Sequence, residues 1–135
     1  MTSDLQNPLN IQYNNKSGPT DILKNINNDG KVAIVTGGYS GIGLETCKGL
    51  VSVGTNVIVP AKRPDFAYKN LKGLIPQENI FSMDLSDLSS VKSFCDTFKN
   101  KFNKLDLLIN NAGIMACPET RVGNKWESQF AINHI

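Results

Sequence analysis

Apolar residues occur along this chain in two patterns. Short, β-branched runs alternate with stretches in which apolar positions recur every three or four residues. Lys31 to Thr36 (KVAIVT), Asn56 to Val59 (NVIV), Ile80 to Met83 and Leu105 to Ile109 (LDLLI) are runs of the first kind. Each predicts a buried strand. Ile42 to Val53 has helical spacing, with Ile42, Cys47, Leu50 and Val51 on one face and Gly54 placed as its C-terminal cap. Pro64 can open a second helix carrying Phe66, Tyr68 and Leu71. A third helix carries Leu88, Val91, Phe94, Cys95 and Phe98, with Ser86 as its expected N-cap and Asp87 favouring its positive end. Trp126, Phe130 and Ile132 predict the start of one more helix. Strands alternating with helices in this order predict an α/β fold, a doubly wound parallel sheet with helices on both faces.

Residues 1 to 29 read differently. They are polar and Asn-rich, broken by Pro8, Gly18 and Pro19, and predict a flexible arm. Thr20 can cap a short helix holding Ile22, Leu23 and Ile26, and Asn27-Asn28-Asp29-Gly30 is a turn signal. The ordered domain is expected over residues 30–135.

Composition narrows the function. The chain has 135 residues, 40% hydrophobic and 19% charged, so it is globular and at most one domain. A net charge of +2 argues for neither nucleic acid nor an anionic membrane. No apolar run approaches the roughly 18 residues that span a bilayer. The first ten residues lack the pattern of a secretory signal. Cys47, Cys95 and Cys117 are too irregularly spaced for a disulfide framework or a zinc site. A cytoplasmic protein without a metal is expected.

The candidate chemistry starts at Thr36-Gly37-Gly38-Tyr39-Ser40-Gly41-Ile42-Gly43, between a strand and a helix. Gly37 permits a sharp turn, Gly41 lets backbone approach a pyrophosphate, and Gly43 permits close helix packing. The helix N-terminus then offers N–H groups to phosphates. Tyr39, Ser40 and Ile42 fall within the same loop. An NAD site places an acidic residue about 20 positions further on, at the end of the second strand. Pro60 and Ala61 stand there, followed by Lys62 and Arg63, which can pair with a 2′-phosphate. NADP is therefore favoured over NAD.

The G-x-x-x-G-x-G spacing with its preceding Thr resembles the short-chain dehydrogenase/reductase family in its standard short form. The resemblance extends to Asp84-Leu85 after the third strand, Asn110-Asn111-Ala112-Gly113 after the fourth, and Phe130-Ala131-Ile132-Asn133-His134 near the end. Residues 110–118 are most similar to the retinol-dehydrogenase-like members. The resemblance implies a Rossmann-type sheet of order 3-2-1-4-5-6-7, of which this chain reaches the fourth strand. It implies Asp84 and Leu85 beside the adenine, and Asn111, Ala112 and Gly113 along the cofactor. It implies hydride transfer between nicotinamide and a small carbonyl or alcohol substrate. It also implies a catalytic Asn at Asn133 and an intact protein that can be an oligomer. The family's Ser and Y-x-x-x-K pair belong after a fifth strand, so the 135-residue chain alone is expected to be inactive.

Tyr68-Lys69-Asn70-Leu71-Lys72 matches Y-x-x-x-K on one helical face, but it lies after the second strand, at the adenosine end, and reads as surface. His134 lacks a partner motif and reads as packing or surface, and Cys117 reads as a small residue on the substrate side. Two other readings compete with the oxidoreductase: a non-catalytic dinucleotide-binding module and an inactive truncated product. A sheet ending at LDLLI leaves an apolar edge, so the chain alone is expected to be aggregation-prone or partly folded. A soluble monomer with a sharp melt would defeat that expectation.

Overall fold

A computed structural model describes residues 11–135, and residues 1–10 of the expected arm lie outside it. The fold is built around β1 (Val32–Val35), whose four residues are all buried. It pairs in parallel with β2 (Asn56–Ala61) on one edge and β4 (Leu107–Ile109) on the other. β3 (Ile80–Ser82) pairs with the far edge of β2, which gives the order β3-β2-β1-β4. The chain therefore moves outward from β1 to β3, then crosses back to the other side of β1.

Alternate residues of each strand feed opposite faces. Ala33, Val35, Val57 and Val59 meet Cys47 and Leu50 of α2 (Gly41–Ser52) and Ala67 and Leu71 of α3 (Pro64–Leu71). Val32, Ile34 and Ile58 meet Phe94 and Phe98 of α4 (Leu88–Lys101). Strands covered on both sides need continuous apolar sequence, which explains VAIV and NVIV. Burying each large side chain contributes about 1.5–3 kcal/mol. Beside α4 the cover is incomplete. An apolar groove of about 450 Å³, lined by Ile34, Phe98, Leu105 and Leu108 among others, runs toward β4.

Several local expectations need correction. Ile42 does not join the buried face of α2; it stands 81% exposed at the first turn, where the helix meets the glycine loop. The N-cap of α4 is Asp87, not Ser86, because the Asp87 carboxylate accepts from Ser89 N–H at 2.8 Å. β2 runs on through Pro60 to Ala61. Its ladder with β1 stops at Ile58, so the missing proline N–H removes no bond on that side. β4 starts at Leu107, leaving Leu105 exposed. Asp106 instead accepts from Val32 N–H at 2.8 Å. Trp126 does not begin a helix. It belongs to a hairpin in which β5 (Arg121–Val122) pairs antiparallel with β6 (Trp126–Glu127). α5 (Ser128–Asn133) follows, capped by the Glu127 carboxylate, which accepts from Gln129 and Phe130 N–H at 3.0 Å each.

The short helix near the N-terminus is α1 (Pro19–Leu23), with Gly18 rather than Thr20 at its N-cap and the Asp21 carboxylate accepting from Gly18 N–H at 2.9 Å. Pro19 and Leu23 lie against Gly49 of α2, where a Cβ would come within 2.7 Å of the Pro19 side chain. Asn28 is buried, and its N–H donates to Val53 O at 2.8 Å.

Candidate functional site

The sheet reverses direction of travel between β1 and β4, and loops leaving those two strands must diverge. A crevice at that point is where open α/β sheets bind ligands. Two clefts open there. One, of about 250 Å³, is bordered by Gly37, Tyr39, Lys62, Asp84, Leu85, Ala112, Gly113 and Ile132. The other, of about 300 Å³, follows the glycine loop along Tyr39, Ser40, Ile42, Gly43, Asn111 and Gly113. They share Gly37, Tyr39, Ala112 and Gly113 and so form one trough. The structure thus brings Gly37, Tyr39, Ser40, Ile42 and Gly43 of the loop, Lys62, the residues after β3 and residues 111–113 to one place, while Gly41 and Arg63 are not among the residues that border it.

Thr36, at the end of β1, ties the two sides of the trough together. Its hydroxyl accepts from the N–H groups of Asn111 and Ala112, each at 3.0 Å, and Asn111 Nδ2 donates to Thr36 O at 2.9 Å. Gly37 turns at φ +65°, and a Cβ on it would lie 3.1 Å from Ala112 Cα. A Cβ on Gly43 would collide with Asn111 Nδ2 and Gly37 O. The close contacts at Gly43 are thus with Asn111 on the opposite wall of the trough and with the glycine loop's own Gly37. Gly41, by contrast, has nothing within 4 Å of where a Cβ would be. Ser40 makes no side-chain capping bond to α2, which leaves the first-turn N–H groups for another partner. A backbone cradle with an open glycine and an uncapped helix start fits a pyrophosphate.

The β2 end of the trough is polar and charged. Lys62 Nζ lies 2.8 Å from Asp84 Oδ2. Ser86 donates to Asp84 Oδ1 through its N–H at 2.9 Å and its hydroxyl at 2.6 Å. Partial burial pushes the Asp84 pKa up, but Lys62 and Ser86 outweigh it and hold the carboxyl below its ordinary value. The Arg63 guanidinium sits 4.8 Å over the Phe66 ring. Phe66 meets Tyr39 edge-on at 6.2 Å, and Asn70 Nδ2 donates to Tyr39 O at 3.1 Å. α3 therefore braces the glycine loop. The sequence signals for Phe66 and Asn70 were weak, since both read as ordinary positions of a surface helix.

Asn133 ends α5. Its Oδ1 accepts from Ile114 N–H at 2.9 Å and its Nδ2 donates to Ile114 O at 2.8 Å. The amide copies a strand partner and fixes the segment after Gly113. His134 stacks on Phe130 at 5.2 Å. Cys117 Sγ lies 3.9 Å from Ser128 Oγ. Burial pushes the Cys47 thiol up to about 12, so it is inert filling between α2 and the sheet. Tyr68 borders a separate hollow with Gly73 and Pro76, and α3 ends at Leu71, so Lys72 does not share its helical face. Among the described residues no helix is long and apolar enough to cross a membrane.

Residues 31–135 match the family model described as short chain dehydrogenase. The chain is 35% identical over 116 residues to retinol dehydrogenase 11 of Mus musculus, covering 82% of this chain and 37% of that protein. It is 40% identical over 129 residues to the chloroplastic short-chain dehydrogenase TIC 32 A of Brassica napus, covering 91% of this chain and 40% of that protein. The chain therefore spans well under half the length of these curated relatives. Among solved structures it resembles the RhlG/NADP active-site complex of Pseudomonas aeruginosa (26% identity, TM-score 0.66, 80% of this chain, 44% of that one). It also resembles 3-ketoacyl-(acyl-carrier-protein) reductase of Brucella melitensis complexed with NADH (30% identity, TM-score 0.55, 64% of this chain, 35% of that one).

Proposed function

Because this chain belongs to the short chain dehydrogenase family, we propose that it is the cofactor-binding part of an NADP-dependent oxidoreductase acting on a small carbonyl or alcohol. Residues 30–135 form the first part of the dinucleotide-binding domain, preceded by an arm over residues 1–29. One observation carries the reading: a single trough joins the uncapped start of α2, the Asn111–Gly113 wall and the basic end of β2.

The nicotinamide, when bound, supplies the hydride chemistry. The chain's own residues bind and orient. Gly37, Ser40, Gly41, Ile42 and Gly43 present backbone to the pyrophosphate, and Tyr39 walls the loop. Asp84 and Leu85 border the adenine. Asn111, Ala112 and Gly113 hold the strand β4 side of the cofactor. Lys62 and Arg63 supply positive charge for a 2′-phosphate. Asn133 takes part in proton relay, and its amide holds the segment after Gly113 through Ile114. Three free cysteines suit a reducing compartment such as the cytoplasm.

The test is a titration of the protein, as its own gene encodes it, with NADPH and NADH, followed by turnover against a panel of aldehydes, ketones and alcohols. Tighter binding of NADPH with turnover is expected. Binding of neither dinucleotide overturns the reading. Binding without any turnover would favour the non-catalytic module.

A further inference from the structure

One peptide of the glycine loop is held from outside the loop. Asn70 Nδ2 donates to Tyr39 O at 3.1 Å. Phe66 meets the Tyr39 ring edge-on at 6.2 Å. Phe66 and Asn70 stand four residues apart on α3, so one face of that helix grips both the ring and the carbonyl of Tyr39. Neither residue borders the trough, whereas Tyr39 and Ser40 do.

Holding that carbonyl decides where the next N–H points. A trans peptide is planar, and its C=O and N–H face opposite ways. With Tyr39 O turned to α3, the Ser40 N–H is turned away from α3. Among the described residues that N–H donates to no acceptor, and the Ser40 side chain makes no capping bond to α2. Turned the other way, the same peptide would aim the partial negative charge of a carbonyl oxygen where a donor now stands, and a phosphate oxygen would meet repulsion there.

We infer that Asn70 is a positioning residue for the pyrophosphate: by donating to Tyr39 O it keeps the Tyr39–Ser40 peptide with its N–H free on the side of the trough. Asn70 acts through that peptide and touches no part of the cofactor. The inference rests on the dinucleotide reading above.

Binding of NADPH, NADH and adenosine to the protein as its gene encodes it tests the role. Adenosine lacks the pyrophosphate and reports the adenine end alone. Asn70→Leu keeps a side chain of similar size without a donor, and Asn70→Ala removes the donor by a second route. Asn70 is exposed on a surface helix, so both variants should melt close to the parent. Each is expected to weaken NADPH and NADH by the same factor, on the order of fivefold, the scale of one partly exposed hydrogen bond. Adenosine should bind parent and variants alike. If both variants bind the dinucleotides like the parent, the inference is overturned while the dinucleotide reading stands. If adenosine weakens as much as the dinucleotides, or the melting temperature falls in step with affinity, Asn70 merely supports the fold and the inference is again overturned. If the unsubstituted protein binds neither dinucleotide, both fall.

Discussion

Replacing Thr36 with Val removes one oxygen and changes little in shape. That oxygen accepts from two backbone N–H groups, those of Asn111 and Ala112, and Thr36 is buried. Leaving a buried donor unpaired costs about 1–3 kcal/mol. Asn111 N–H keeps a second acceptor in Ile109 O at 3.1 Å, so only the Ala112 N–H is left unpaired. It lies at a partly open trough, so the lower half of that range applies, roughly 1–2 kcal/mol. At roughly 4 °C per kcal/mol, between the values for smaller and larger domains, this lowers the melting temperature by roughly 4–8 °C. Asn111 Nδ2 still reaches Thr36 O, so the wall should loosen without detaching. A loss of about tenfold in NADPH affinity, near 1.4 kcal/mol, is the matching expectation. Thermal unfolding by circular dichroism and a cofactor titration read the two effects. Thr36→Ser keeps the hydroxyl and serves as the control, losing only the contacts of one methyl. A Thr36→Val protein that melts and binds like the parent would refute the reasoning.

Two further substitutions follow from the same geometry. Gly43→Ala should destabilise by roughly 1–3 kcal/mol through overpacking against Asn111 and Gly37, whereas Gly41→Ala meets no neighbour and adds only backbone strain at φ +52°. Gly41→Ala should therefore lose dinucleotide binding out of proportion to its melting temperature, and equal effects of the two alanines would contradict the assignment. Leu108 is 57% exposed on the outermost strand. Leu108→Lys should keep the 135-residue chain in solution at concentrations where the unsubstituted chain sediments, and size-exclusion chromatography of both would show it.

The sheet was legible because each strand centres on a short apolar run and most connections are periodic. VAIV and NVIV, short and β-branched, read as doubly covered strands. The hairpin at Arg121–Glu127 was not legible, because two-residue strands leave no periodicity. Its turn, moreover, includes Lys125 at φ +68°, a residue without turn preference. Ile42 misled for a related reason: an apolar residue at helical spacing predicts burial, but the first turn of α2 faces the trough. At the site, the glycine loop and residues 111–113 announced themselves by composition. The Lys62–Asp84 ion pair did not, since its partners lie 22 positions apart and meet only through the β2–β3 register.

The strand order has a consequence for synthesis. β1 gains its first neighbour once β2 has been made, but its other edge waits for Leu107–Ile109. At about 5–20 residues per second, the interval between Ile58 and Leu107 lasts roughly 2–10 seconds on the ribosome. Throughout it β1, buried along its whole length in the finished fold, presents an open edge. Pairing of that edge with another chain is the hazard of that window, and for β1 it ends when β4 arrives.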